Sequence, residues 1–184
     1  YFTPARPAHY RVYSQPNSGM WCCVGTGMEN HGKYGEFIYT HNEDELYVNL
    51  FVASQLDWKE KKFSLKQETN FPNEETVRFT VSGKSQKLKL KIRCPRWVKP
   101  GEMKVICKGK DYAVGAKPSS YIEIERKWKK GDVIEVTMPM SITVEELPNL
   151  SNYIAIMRGP ILMGARMGNY RLDGLVANDG RWAH

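Results

Sequence analysis

From Glu45 onward, apolar and polar positions alternate in short runs. The runs are Leu46 to Ala53, Lys62 to Glu68, Thr76 to Val81, Lys87 to Arg93, Lys104 to Lys108, Tyr121 to Glu125, Val133 to Met138, Ile142 to Glu146 and Tyr153 to Arg158. Each reads as a strand with one face on a core and one in water. Turn signals divide them: Phe71-Pro72-Asn73, Ser82-Gly83-Lys84, Lys99-Pro100-Gly101, Lys130-Gly131-Asp132 and Pro148-Asn149. Strands at this even spacing predict an all-β fold, an antiparallel β-sandwich. Ahead of them the pattern differs. Residues 1–20 mix Pro4, Pro7, Pro16 and Gly19 with tyrosine, serine and asparagine, and read as a loop. Met20 to Thr40 is the one stretch with helical spacing, through Met28, Tyr34, Phe37 and Ile38, with the clearest helix over Gly27 to Thr40. Gly25, Gly27, Gly32 and Gly35 each cost such a helix about 1 kcal/mol, so it needs a surface to pack on. The organisation expected is therefore a loop and helix over 1–41, a sandwich over 42–167, and a tail or lead into further chain over 168–184.

Composition narrows the class. At 184 residues and 41% hydrophobic the chain is globular, and no run of about 20 apolar residues predicts a membrane span. The first residue is Tyr1, which fits a piece of a larger protein. The formal charge of +7 raises nucleic acid as a partner. Its main contributors, Lys87, Lys89, Lys91 and Arg93, alternate with Leu88, Leu90 and Ile92, the arrangement of a solvated strand face. No RNA-binding aromatic signature or helix-turn-helix accompanies them, so neither nucleic acid nor a membrane is expected as a partner.

Candidate chemistry concentrates at Trp21-Cys22-Cys23-Val24. Adjacent cysteines bond to each other only with a distorted peptide, but both can face one metal ion. A thiol at a helix N-terminus is favoured as the thiolate by the dipole and the free N–H groups, which suits a nucleophile. The alternative is two buried cysteines acting as small hydrophobes. Cys94 and Cys107 fall on strands and read as packing residues. Glu29, His31 and His41 are further polar candidates near the pair, with helix-surface or loop hydrogen bonding the simpler role. Trp58, Trp97 and Trp128 can stack on sugars if exposed, or fill a core if not. Gly25, Gly27 and Gly32 do not have dinucleotide-loop spacing, and no βαβ pattern surrounds them.

The segment Trp21 to Tyr39, preceded by Tyr10-Arg11-Val12-Tyr13-Ser14-Gln15-Pro16, resembles the β-L-arabinofuranosidase family of glycoside hydrolases. Leu46 to Phe51, Leu90 to Trp97 and Ala155 to Leu162 extend the likeness in family order. The resemblance implies an (α/α)6 catalytic barrel followed by sandwich material, with the helix here left over from that barrel. It implies that Cys22 matches the nucleophile and that Cys22 and Cys23 match zinc ligands. The other zinc ligands, a Glu and a Cys, and the acid/base Glu belong to upstream barrel sequence that this chain lacks. The chain alone is therefore expected to be inactive, with the N-terminal barrel as missing partner, a plant-derived arabinose-containing glycan as the parent's substrate, and self-association of the fragment. Val24-Gly25-Thr26-Gly27 stands where the best-known members carry prolines and an Asn, which points to another branch. The likeness to bacterial degraders of pectin and hemicellulose favours a periplasmic or secreted enzyme over a cytoplasmic one. A non-catalytic carbohydrate-binding or structural sandwich is the alternative.

Overall fold

The computed structural model describes residues 10–11, 22–166 and 176–177. It has two units, Tyr1–Tyr34 with Gly164–His184, and Gly35–Met163. The elements in chain order are β1 (Tyr10–Arg11), α1 (Cys22–Ile38), β2 (Tyr39–His41), β3 (Glu45–Val48), β4 (Ser54–Trp58), β5 (Phe63–Thr69), β6 (Thr76–Gly83) and β7 (Gln86–Cys94). They continue with β8 (Lys104–Cys107), β9 (Lys110–Asp111), β10 (Ser120–Trp128), β11 (Val133–Thr137), β12 (Ile142–Leu147), β13 (Leu150–Arg158), β14 (Ile161–Leu162) and β15 (Val176–Ala177). In the first unit, β1 and β15 form a short parallel pair through Tyr10↔Val176 and Arg11↔Ala177. The rest of the expected N-terminal loop and of the 168–184 tail lies outside the described residues.

The sandwich fills the second unit. One sheet runs β10-β7-β3-β2, the other β4-β5-β6-β11-β8-β9. Leu46, Leu90, Ile92, Ile124 and Trp128 from the first meet Phe63, Leu65, Phe79, Val105 and Ile134 from the second in one buried core. Alternation along β7 shows why: Leu88, Leu90 and Ile92 are buried while the residues between them face outward. Pairing is antiparallel throughout the sandwich except between β3 and β7, which run parallel. The chain leaves β3 for three strands of the other sheet before β7 returns beside it. A third sheet, β12-β13-β14, follows.

Several boundaries differ from expectation: α1 begins at Cys22 rather than Gly27, and β10 and β13 extend beyond Tyr121 to Glu125 and Tyr153 to Arg158. The helix stops at Ile38 rather than Thr40, because Tyr39–His41 pair with Leu46–Val48 as an edge strand. Sheet hydrogen bonds there outweigh helical spacing. β3 also stops at Val48 rather than Ala53. Asn49 and Leu50 donate their N–H groups to the Ile38 carbonyl, and the buried Gln67 amide donates to the carbonyls of Leu50 and Val52. That turns the chain toward β4, a polar edge strand with no signal beyond Leu56 and Trp58.

The outward residues of β3, β7 and β10 form an ion-pair lattice. Lys91 Nζ lies 3.1 Å from both Glu45 and Glu123, and Lys89 lies 3.6 Å and 3.4 Å from the same carboxylates. The Tyr47 hydroxyl donates to Glu45 at 2.6 Å, and Asn42 donates at 2.8 Å. The Tyr47 hydrogen bond, then those of Lys91 and Asn42, hold the Glu45 carboxyl down at about 2. A depressed carboxyl contributes stability above its ordinary value near 4.5, and the contribution is lost as pH falls toward 2. Thermal melts of the chain and of Glu45→Gln should therefore differ at pH 6 and converge near pH 2. A difference that stays constant across that window would contradict the lattice.

Candidate functional site

The cysteine pair opens the helix. Cys22 and Cys23 are the first two residues of α1, inside the helix rather than ahead of it, and their side chains lie outside what the structure describes. A first-turn position leaves their backbone N–H groups without helical acceptors and at the positive end of the helix dipole. Adjacent thiols are soft donors of the type zinc takes, and a tetrahedral zinc site needs four ligands. Among the described residues no group of three or more His, Cys, Asp or Glu completes such a site.

The other polar candidates are spread apart. His31 is exposed on α1 with its ring edge-on to Tyr34 at 5.7 Å, and Glu29 is exposed one turn and a half along from Cys23. His41 ends β2, where its ring lies 4.4 Å from that of Trp58. Cys94 and Cys107 are free and buried in the sandwich core. Burial pushes the Cys94 thiol up, away from the thiolate a nucleophile needs.

The three tryptophans divide. Trp128 is fully buried and Trp58 nearly so, which removes both as sugar platforms. The Trp128 indole N–H is spent on the Leu88 carbonyl at 3.1 Å. Trp97 is different: it stacks on Phe71 with ring centroids 6.0 Å apart and lines an open groove of about 460 Å³ with Arg96, Glu145 and Met157. Sequence spacing does not place β12 opposite Trp97. The only local signal was the run Pro95-Arg96-Trp97 with Pro100 beyond it, which keeps the indole in a turn.

Comparison with known proteins places this architecture. Residues 45–140 match the family model "Beta-L-arabinofuranosidase, GH127 middle domain". The chain belongs to the GH127 family. Residues 1–36, which include the cysteine pair, match the GH127 catalytic domain model, and residues 143–184 match a domain of unknown function. Among solved structures, the chain is similar to a glycoside hydrolase at 32% identity and TM-score 0.68, covering 77% of this chain and 25% of that one. It is similar to a GH127 β-L-arabinofuranosidase from Geobacillus stearothermophilus T6 at 28% identity and TM-score 0.66, covering 77% and 23%. A further GH127 β-arabinofuranosidase matches at 26% identity and TM-score 0.65, covering 77% and 25%. This GH127 chain thus spans about a quarter of the length of those structures. No curated protein matches. Among the described residues no helix is long and apolar enough to cross a membrane.

Proposed function

We propose that the chain carries the nucleophile half of a retaining GH127 glycoside hydrolase acting on a plant-derived, arabinose-containing glycan. The observation that carries this reading is the match of residues 1–36 to the catalytic domain model, with the cysteine pair at the start of α1. A retaining glycosidase needs one group to attack the anomeric carbon and another to protonate the leaving oxygen. Cys22 is the attacking group. Its thiolate, favoured by the first-turn N–H groups, forms a C–S bond to the sugar as the glycosidic C–O bond breaks. Water then displaces the sulfur, and two inversions give net retention. Cys23, with Cys22, would hold zinc, which keeps the thiol deprotonated when bound. The acid/base Glu and the remaining ligands come from barrel sequence outside this chain.

One thiolate without its acid partner does not turn over a stable glycoside. The 184-residue chain should release no arabinose from a β-L-arabinofuranoside. Joined to its upstream barrel it should do so, and Cys22→Ser should lower kcat by about 10⁴-fold or more. Hydrolysis by the chain alone, or full activity of Cys22→Ser in the joined protein, would overturn the assignment. Without the barrel, Met28 and Phe37 on α1 are more than half exposed, which supports self-association of the fragment. A polysaccharide substrate of this kind is met in the periplasm or outside a bacterial cell, and we place the parent enzyme there.

A further inference from the structure

We infer that the groove at Trp97 is a glycan-binding subsite. It lies wholly within the Gly35–Met163 unit and does not use Cys22, so it stands or falls apart from the nucleophile assignment. Its floor is aromatic. The indole stacks on Phe71 at an interplanar angle of 18°, packs in part against the core, and also lines the groove. Pro100, Pro118 and Met157 extend that apolar floor. A sugar ring has an apolar C–H face that packs on such a surface and an equatorial rim of hydroxyls that does not.

The rim requirement is met beside the indole. Arg96 Nη2 and Glu145 Oε1 lie 3.5 Å apart across the groove, on exposed side chains. A guanidinium offers a planar fork of donors and a carboxylate two acceptors, so together they match the paired donor and acceptor character of a vicinal diol. An exposed ion pair contributes little to folding, which leaves both groups free to exchange partners with a ligand. The volume of about 460 Å³ falls in the range of small-molecule sites and holds about one or two pentose units.

Both walls are fixed before any ligand arrives. On the sandwich side, Val98 is buried and its N–H donates to the Pro95 carbonyl, which seats the Arg96-Trp97 turn. On the other side, Gly159 adopts φ +54° and donates its N–H to the Ser141 carbonyl at 3.1 Å. A Cβ there would run into the Met140 side chain, so glycine lets the turn at Gly159-Pro160 close against it. A site with rigid walls loses little entropy on binding.

The test is titration of the ¹⁵N-labelled chain with arabinan, galactan and xylan oligosaccharides, followed by amide and indole N–H resonances. Saturable shifts at the Trp97 indole and at Arg96 and Glu145, with the buried Trp128 indole unmoved, are expected. Trp97→Ala should abolish them. Because Trp97 also packs against the core, Glu145→Gln provides the check on an exposed residue: the fold stays intact and binding weakens about tenfold. Absence of shifts at Trp97 with all three sugars, binding unchanged in both variants, or shifts given only by a proline-rich peptide would each overturn the inference.

Discussion

Trp128→Ala should destabilise the sandwich by about 3–5 kcal/mol. Trp128 closes β10 and is the largest of the fully buried side chains among the described residues. Truncation would leave a cavity where the two sheets meet, which neighbouring strands cannot fill without breaking their ladder with β7. It would also strip the Leu88 carbonyl of its indole donor and remove the ring beneath the Arg126 guanidinium, 5.2 Å away. Arg126 helps neutralise the buried Asp132 at 3.5 Å, so the loss extends past the cavity itself. For a domain of this size the change lowers Tm by about 10 °C or more. Trp128→Phe keeps most of the volume and loses only the N–H, and should cost less than half as much. A melt of Trp128→Ala within a couple of degrees of the parent chain would mean that the indole does not fill the core.

The strands were legible where one face is buried and the other is wet. The run Lys87 to Arg93 is found as Gln86–Cys94, and Thr76 to Val81 as Thr76–Gly83, because period-2 alternation and burial are the same fact seen at two levels. What escaped was set by partners distant in sequence. Tyr39 and Thr40 look helical in isolation and, with His41, become a strand through Leu46–Val48. Ser54–Trp58 is polar because it lies at a sheet edge, where one side needs no apolar neighbour. The outward lysines were legible as a strand face, but their pairing with Glu45 and Glu123 depends on the parallel β3–β7 register, which no local pattern encodes. The candidate site divides along the same line. Cys22 and Cys23 stand out as a local motif, whereas the Trp97 groove needs Glu145, 48 residues further along, and only the fold brings it there.

Gly83→Ala should cost the sandwich more than any other glycine substitution in its turns. Gly83 ends β6 at φ +85°, opposite Phe63, and the next residue, Lys84, donates its N–H to the Lys62 carbonyl at 2.8 Å. That hydrogen bond draws the chain so close that a Cβ on residue 83 would overlap the Lys62 carbonyl oxygen. The obstruction is backbone, held by the β5–β6 ladder on one side and by the turn into β7 on the other, so it cannot swing aside as a side chain would. Two penalties therefore add. The left-handed conformation costs an L-residue about 1–2 kcal/mol, and relieving the overlap breaks the Lys84 hydrogen bond or shifts the end of the ladder, at about 1–3 kcal/mol more. Gly109 separates the two: it has φ +76° with open space where a Cβ would go, so Gly109→Ala carries the conformational cost alone. Paired denaturant titrations should put Gly83→Ala below Gly109→Ala in stability by about 1–3 kcal/mol with similar m-values. Equal losses would show that residue 83 has room for a side chain, and that the β6–β7 turn does not depend on backbone-to-backbone approach at Lys62.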